Sequence, residues 1–105
     1  MKHYRVQITG KALADMEAIY DYIASNLQSP DTAMKQYDRI AAAIESLDTF
    51  PERCKLFDSE PECSYGMRHL LVDNYSAVYV VGEAEVTVLR VIYSSSDIST
   101  RLNES

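Results

Sequence analysis

Four side chains in the second half of the chain have types suited to chemistry on a phosphate: Arg68, His69, Arg90 and Tyr93. A guanidinium neutralises a phosphate through paired donors, an imidazole titrates near neutrality, and a phenol can stack on a base or shift a proton. Such a site needs its members on one face. Arg68 and His69 are consecutive, so on a strand they point to opposite faces and only one of them joins a given site. Arg68 is the better candidate, because His69 has no visible carboxylate partner in the sequence. Counted along its own strand, Arg90 is in register with Val86, Val88 and Ile92, and those apolar neighbours suit an ion pair or hydrogen bond better than catalysis. Among the tyrosines, Tyr20 and Tyr37 fall in helical stripes and are read as core, whereas Tyr75 and Tyr79 share a strand face. That pair, with Arg90, is expected to line an open sheet groove where a partner segment docks. The serines at 94 to 96 have no histidine base or oxyanion motif beside them and read as a flexible exit from the sheet.

Composition narrows the choice. The chain has 105 residues, 47% of them hydrophobic, enough for one core and one domain. No apolar run is long enough to cross a membrane, and the alternating start from Met1 to Val6 does not look like a signal peptide, so a cytoplasmic protein is expected. Cys54 and Cys63 are too few for a disulfide scaffold and are expected as free thiols; with only His3 and His69, no metal-ligand spacing can be assembled, and no cofactor is expected. The net charge of −6 argues against direct, sequence-specific nucleic-acid binding by the chain alone. Arg53, Lys55, Arg68 and Arg90 could still form a local patch in the less acidic half.

The elements that must position these residues follow from periodicity. Tyr4, Val6 and Ile8 alternate with polar residues as a strand, and Thr9-Gly10 supplies a turn. Leu13, Met16, Tyr20, Ile23 and Leu27 recur at helical spacing, with Asp15, Glu17 and Asp21 on a solvated face. Ser29-Pro30-Asp31 is an N-cap, a first-turn proline and an acid against the helix dipole, opening a second helix with the stripe Ala33, Tyr37, Ile40, Ile44 and Leu47. Glu52 to Tyr65 reads as a loop with at most a short strand. Met67 to Val72, Tyr75 to Val81 after Asp73-Asn74, and Val86 to Tyr93 make a three-stranded meander, the last strand central because it is almost continuously apolar. The expectation is an α+β fold of order β-α-α-β-β-β. A helical hairpin packs on one face of a small, mainly antiparallel sheet, the other face is partly open, and a short tail runs from about residue 97.

In this order the motifs resemble the RelE/ParE toxin superfamily. The segment Ala12-Leu13-Ala14-Asp15-Met16-Glu17-Ala18-Ile19-Tyr20-Asp21-Tyr22-Ile23 resembles the family's first helix, and Ile44-Glu45-Ser46-Leu47-Asp48-Thr49-Phe50-Pro51 its second-helix ending. Gly66-Met67-Arg68, Tyr75 with Val78-Tyr79, and Val88-Leu89-Arg90-Val91 are similar to its strands. The resemblance implies a toxin of a type II toxin–antitoxin pair (plasmid stabilisation) neutralised by a cognate antitoxin. It also implies a choice between two activities: metal-independent cleavage of messenger RNA on the ribosome, as in RelE-like members, and inhibition of DNA gyrase, as in ParE-like members. RelE-like nucleases carry an arginine where this chain has Ser76, and basic residues where it has Ser94 to Ser96. Serine cannot stabilise a pentavalent phosphate as a guanidinium does. The sequence therefore favours growth inhibition by binding an essential protein. The alternatives are an endoribonuclease using Arg68, His69 and Tyr93, and a degenerate module that only binds antitoxin.

Overall fold

Val6 alternating with Arg5 and Gln7 forms the short strand β1, Arg5–Ile8, in a computed structural model that describes residues 3–26, 28–54, 56 and 66–93. Leu27, Cys63, most of the Glu52 to Tyr65 loop, the serine run and the tail lie outside the described residues. The turn expected at Thr9-Gly10 is instead a helix cap. Helix α1 spans Gly10–Asn26, and the Thr9 hydroxyl accepts from the Ala12 amide at 3.1 Å while donating to the Leu89 carbonyl at 3.0 Å. The same side chain thus starts the helix and fastens it to the sheet. The buried stripe of α1 is Ala12, Met16 and Ile23 with Ile19 packed against the core, whereas Leu13 is exposed. Met16 and Ile23 of the expected stripe are thus buried, while Ala12 takes the place expected for Leu13.

Helix α2 spans Pro30–Glu45, begins with the Ser29 cap and Pro30 at N1, and buries Ala33, Ile40 and Ile44 as the spacing predicts. Leu47 is buried in the 3-10 turn that follows. Phe50 then takes a left-handed conformation, φ 48°, before Pro51–Arg53 forms a second 3-10 turn and Leu56 bridges to Arg68.

Strands β2 (Arg68–Val72), β3 (Tyr75–Val81) and β4 (Glu85–Tyr93) form the meander. Asp73, at φ 56°, makes the tight hairpin between Val72 and Tyr75, a conformation that a short polar side chain tolerates. Its carboxylate accepts from Gln36 at 3.0 Å and Arg39 at 2.7 Å, tying the hairpin to α2. The sheet order is β1-β4-β3-β2, with β1 parallel to β4 and the other pairs antiparallel, so the most apolar strand is central. The main core lies between sheet and helices, with Met16, Ile40, Ile44, Leu47, Tyr79, Val86, Val88 and Val91 all buried. On the sheet's other face Ser76, Val78 and Ile92 are buried, with Met67 packed on the last two, while Leu71 is open.

One irregularity matters for the site. The β3–β4 register slips between Val78 and Tyr79: Val78 pairs with Arg90 but Tyr79 pairs with Val88, leaving Leu89 as an extra residue. A bulge reverses the alternation beyond it. Val91, not Arg90, therefore continues the helix-facing row of Val86 and Val88. For that reason Arg90 shares its face with Ile92, as counting expects, but not with Val86 and Val88.

Candidate functional site

The four candidate residues do not converge. Arg68 and His69 point to opposite sides, as consecutive strand residues must. Arg68 lies level with Tyr79 on the helix side, where its guanidinium donates to the carbonyls of Glu52 at 3.2 Å and Cys54 at 2.6 Å. His69 lies level with Val78, in the same cross-strand row as Arg90. Two strand spacings, about 10 Å, separate their backbones. Tyr93 is at the far end of β4, opposite Tyr75. Tyr75 in turn pairs with Val72, so Arg68 and Tyr93 are about 13 Å apart along the strand direction.

Arg90 is held inside the chain. Its Nε donates to Asp15 at 2.7 Å and Nη2 to the same carboxylate at 3.2 Å, both side chains being largely buried. Asp15 also accepts from the Val91 amide at 3.0 Å. This aspartate was expected on a solvated helix face; it instead faces β4, where β1 has ended and a backbone donor needs an acceptor. Arg53 caps the end of the helical hairpin by donating to the carbonyls of Ser46, Thr49 and Phe50. Arg5 pairs with Glu85 and Arg39 with Asp73. Every arginine among the described residues thus donates to an acceptor of its own chain.

Tyr79 also departs from expectation. It was read as lining an open groove, but it faces the helices with no accessible surface, and its hydroxyl donates to the Pro51 carbonyl at 2.5 Å. Burial, then a hydrogen bond with Cys54, pushes its phenol well above the usual range. Tyr75, half-buried, does line a groove. Burial and the neighbouring Tyr93 hydroxyl raise its pKa.

That groove, about 530 Å³, runs between α1 and the ends of β3 and β4. Asp15, Ala18, Ile19 and Tyr22 form one flank of α1 at spacings of three, one and three residues, and Tyr75 and Tyr93 stand opposite. The groove exists because β1 stops at Ile8 level with Val88, while β4 continues for five residues. The Tyr75 and Tyr93 rings meet edge to face at 5.7 Å, and Tyr22 and Tyr93 are exposed. Phenols over an apolar floor make an anchor site for apolar or aromatic side chains. With the Tyr75 phenol held neutral and Asp15 engaged by Arg90, this is a poor place for proton transfer. Sequence reading missed Asp15 and Tyr22; the 15, 18, 19, 22 spacing marks them as one helix flank. Among the described residues, no three His, Cys, Asp or Glu side chains are grouped to hold a metal, and no helix is long and apolar enough to cross a membrane.

Residues 6–98 match the model of the ParE toxin of the type II toxin–antitoxin system parDE. The chain belongs to the ParE toxin family. The solved chromosomal ParDE toxin–antitoxin system of P. aeruginosa is similar at 29% identity and TM-score 0.72, covering 87% of this chain and 96% of that one. The fold alone is shared with the toxin–antitoxin complex RelBE2 of Mycobacterium tuberculosis, at 20% identity and TM-score 0.62 over 91% of this chain and 97% of that one. It is shared too with the YoeB dimer of Staphylococcus aureus, at 16% identity and TM-score 0.57 over 87% and 97%. No curated protein matches the chain. This ParE-family chain is therefore a toxin of a type II toxin–antitoxin system.

Proposed function

We propose that this ParE-family toxin arrests growth by binding an essential protein, DNA gyrase being the first candidate, and that a cognate antitoxin neutralises it. The observation that carries the reading is that every described arginine is bound within the chain. A phosphoryl-transfer site needs guanidinium or ammonium donors aimed at developing charge, and arginines already engaged by carbonyls and carboxylates at separate places in the chain are not arranged to supply it. The tyrosine groove, by contrast, offers exposed aromatic anchors of the kind that dominate protein interfaces. An antitoxin partner is supported by the ParDE and RelBE2 relatives, which are toxin–antitoxin systems.

Controlled induction in bacteria, with pulse labelling of DNA and protein synthesis, tests this directly. DNA synthesis should stop first, and Tyr22→Ala combined with Tyr93→Ala should abolish the arrest without unfolding the chain. The endoribonuclease reading keeps one observation in its favour, the shared row of His69 and Arg90 on the sheet face away from the helices. An early stop in protein synthesis that is lost in His69→Ala would establish it instead. Soluble, folded protein that arrests nothing would leave only antitoxin binding.

A further inference from the structure

Helix α1 presents two flanks. One faces the tyrosine groove; the other, through Glu17, Tyr20 and Asp21, meets Met34, Tyr37 and Asp38 of α2 across a second groove of about 370 Å³. Its floor is apolar. The rings of Tyr20 and Tyr37 stack edge to face at 6.4 Å, and Met34 is 48% exposed beside them, a large apolar side chain left in water on a helix. Its rim carries Glu17, Asp21 and Asp38. Among the described residues these three carboxylates make no ion pair or hydrogen bond, whereas Asp15, Asp73 and Glu85 each engage an arginine. Neither basic residue of α2, Lys35 or Arg39, is among the residues that line the groove, and Arg39 is bound to Asp73. The groove therefore presents an apolar slot inside a negative frame.

We propose that this outer groove of the helical hairpin docks a basic amphipathic segment of another protein, one apolar side chain entering between Tyr20, Tyr37 and Met34 while flanking Lys or Arg residues face the rim. The surface is separate from the tyrosine groove, and the inference stands whatever the toxin's target. Charge selects the occupant. The chain's own longer undescribed segments fit badly: residues 57–65 carry three acids and no base, and residues 94–105 carry Arg101 against Asp97 and Glu104. A second copy brings a net charge of −6 and an equally acidic groove, so like charges would meet. A partner with Lys or Arg one helical turn on either side of a Leu, Ile or Met satisfies both slot and frame.

Fluorescence anisotropy with two labelled helical peptides, identical in leucine spacing but carrying Lys in one and Glu in the other, tests the assignment. The Lys peptide should bind the full chain, with the Glu peptide at least about tenfold weaker. Asp21→Lys and Met34→Glu should each weaken the Lys peptide by about tenfold, while Met34→Leu and Glu83→Lys, the latter on the exposed β3–β4 turn, should change it less than about twofold. All three positions are exposed, and matching melting curves confirm that the variants fold. Amide shift changes on titration should centre on Tyr20, Tyr37 and Asp38. Equal losses from Glu83→Lys and Asp21→Lys would reduce the effect to diffuse attraction and overturn the proposal. So would shifts centred on Tyr22 and Tyr93, or a self-association abolished by Met34→Glu.

Discussion

Asp15 occupies the place that one more residue of β1 would take beside β4, accepting from the Val91 amide and the Arg90 guanidinium. Truncating it removes the carboxylate that a largely buried cation and a backbone donor share, which costs more than the loss of an exposed ion pair. Asp15→Ala should lower stability by about 2 kcal/mol in urea denaturation; a change under about 0.5 kcal/mol would mean that water screens the pair. A different signature belongs to Tyr79. Its phenol is held above the ordinary value of 10.0, so the folded chain keeps that proton more tightly than the unfolded chain. The stabilising contribution is whole below pH 10 and fades as pH rises towards the native value. Stability measured from pH 9 upward should therefore fall, and Tyr79→Phe should flatten the fall. The same change should cost roughly 1 kcal/mol at neutral pH, because the Pro51 carbonyl loses its donor.

Caps and turns set the elements, and they differ in how much each side chain does. Ser29 caps α2 through a long 3.4 Å contact, whereas Thr9 caps α1 and also bonds the β4 backbone. Thr9→Ala should accordingly cost about 1.5 kcal/mol and Ser29→Ala about 0.5, distinguishable by thermal melts of the two variants. Phe50 is 64% exposed and held at φ 48°, so glycine there relieves left-handed strain while losing little packing. Phe50→Gly should raise stability by about 0.5 kcal/mol, the strain relieved less the greater chain entropy of glycine. The elements themselves were legible in sequence because each announces itself locally: Ser29-Pro30 opens a helix, Asp73-Asn74 closes a hairpin, and the apolar run from Val86 marks a central strand. The candidate site was much less so. The bulge at Leu89 reverses a count that assumes strict alternation, and nothing in the string says that Asp15 will meet Arg90 across 75 residues. Tyr79 misled for a related reason: sharing a strand face with Tyr75 was correct, but which face meets the helices is decided by tertiary packing.

For the molecule as a whole, the pairing of β1 with β4 decides how stability is distributed. Residues 5–8 pair with residues 85–88, so the first strand covers one edge of the central one, while β3 covers the other. Deleting residues 1–9 would expose that edge and remove the Thr9 cap together, and the shortened chain should show no cooperative thermal transition by calorimetry. A sharp transition near the full-length temperature would show that the helices and meander hold without it. The same pairing has a temporal side. During synthesis β1 and both helices emerge early, but they have no sheet to close on until the final strand has cleared the ribosome. A translation event that stalls before residue 85 yields chain without a fold, and hence without either groove. Whatever either groove binds, it binds only once β4 has come to lie beside β1.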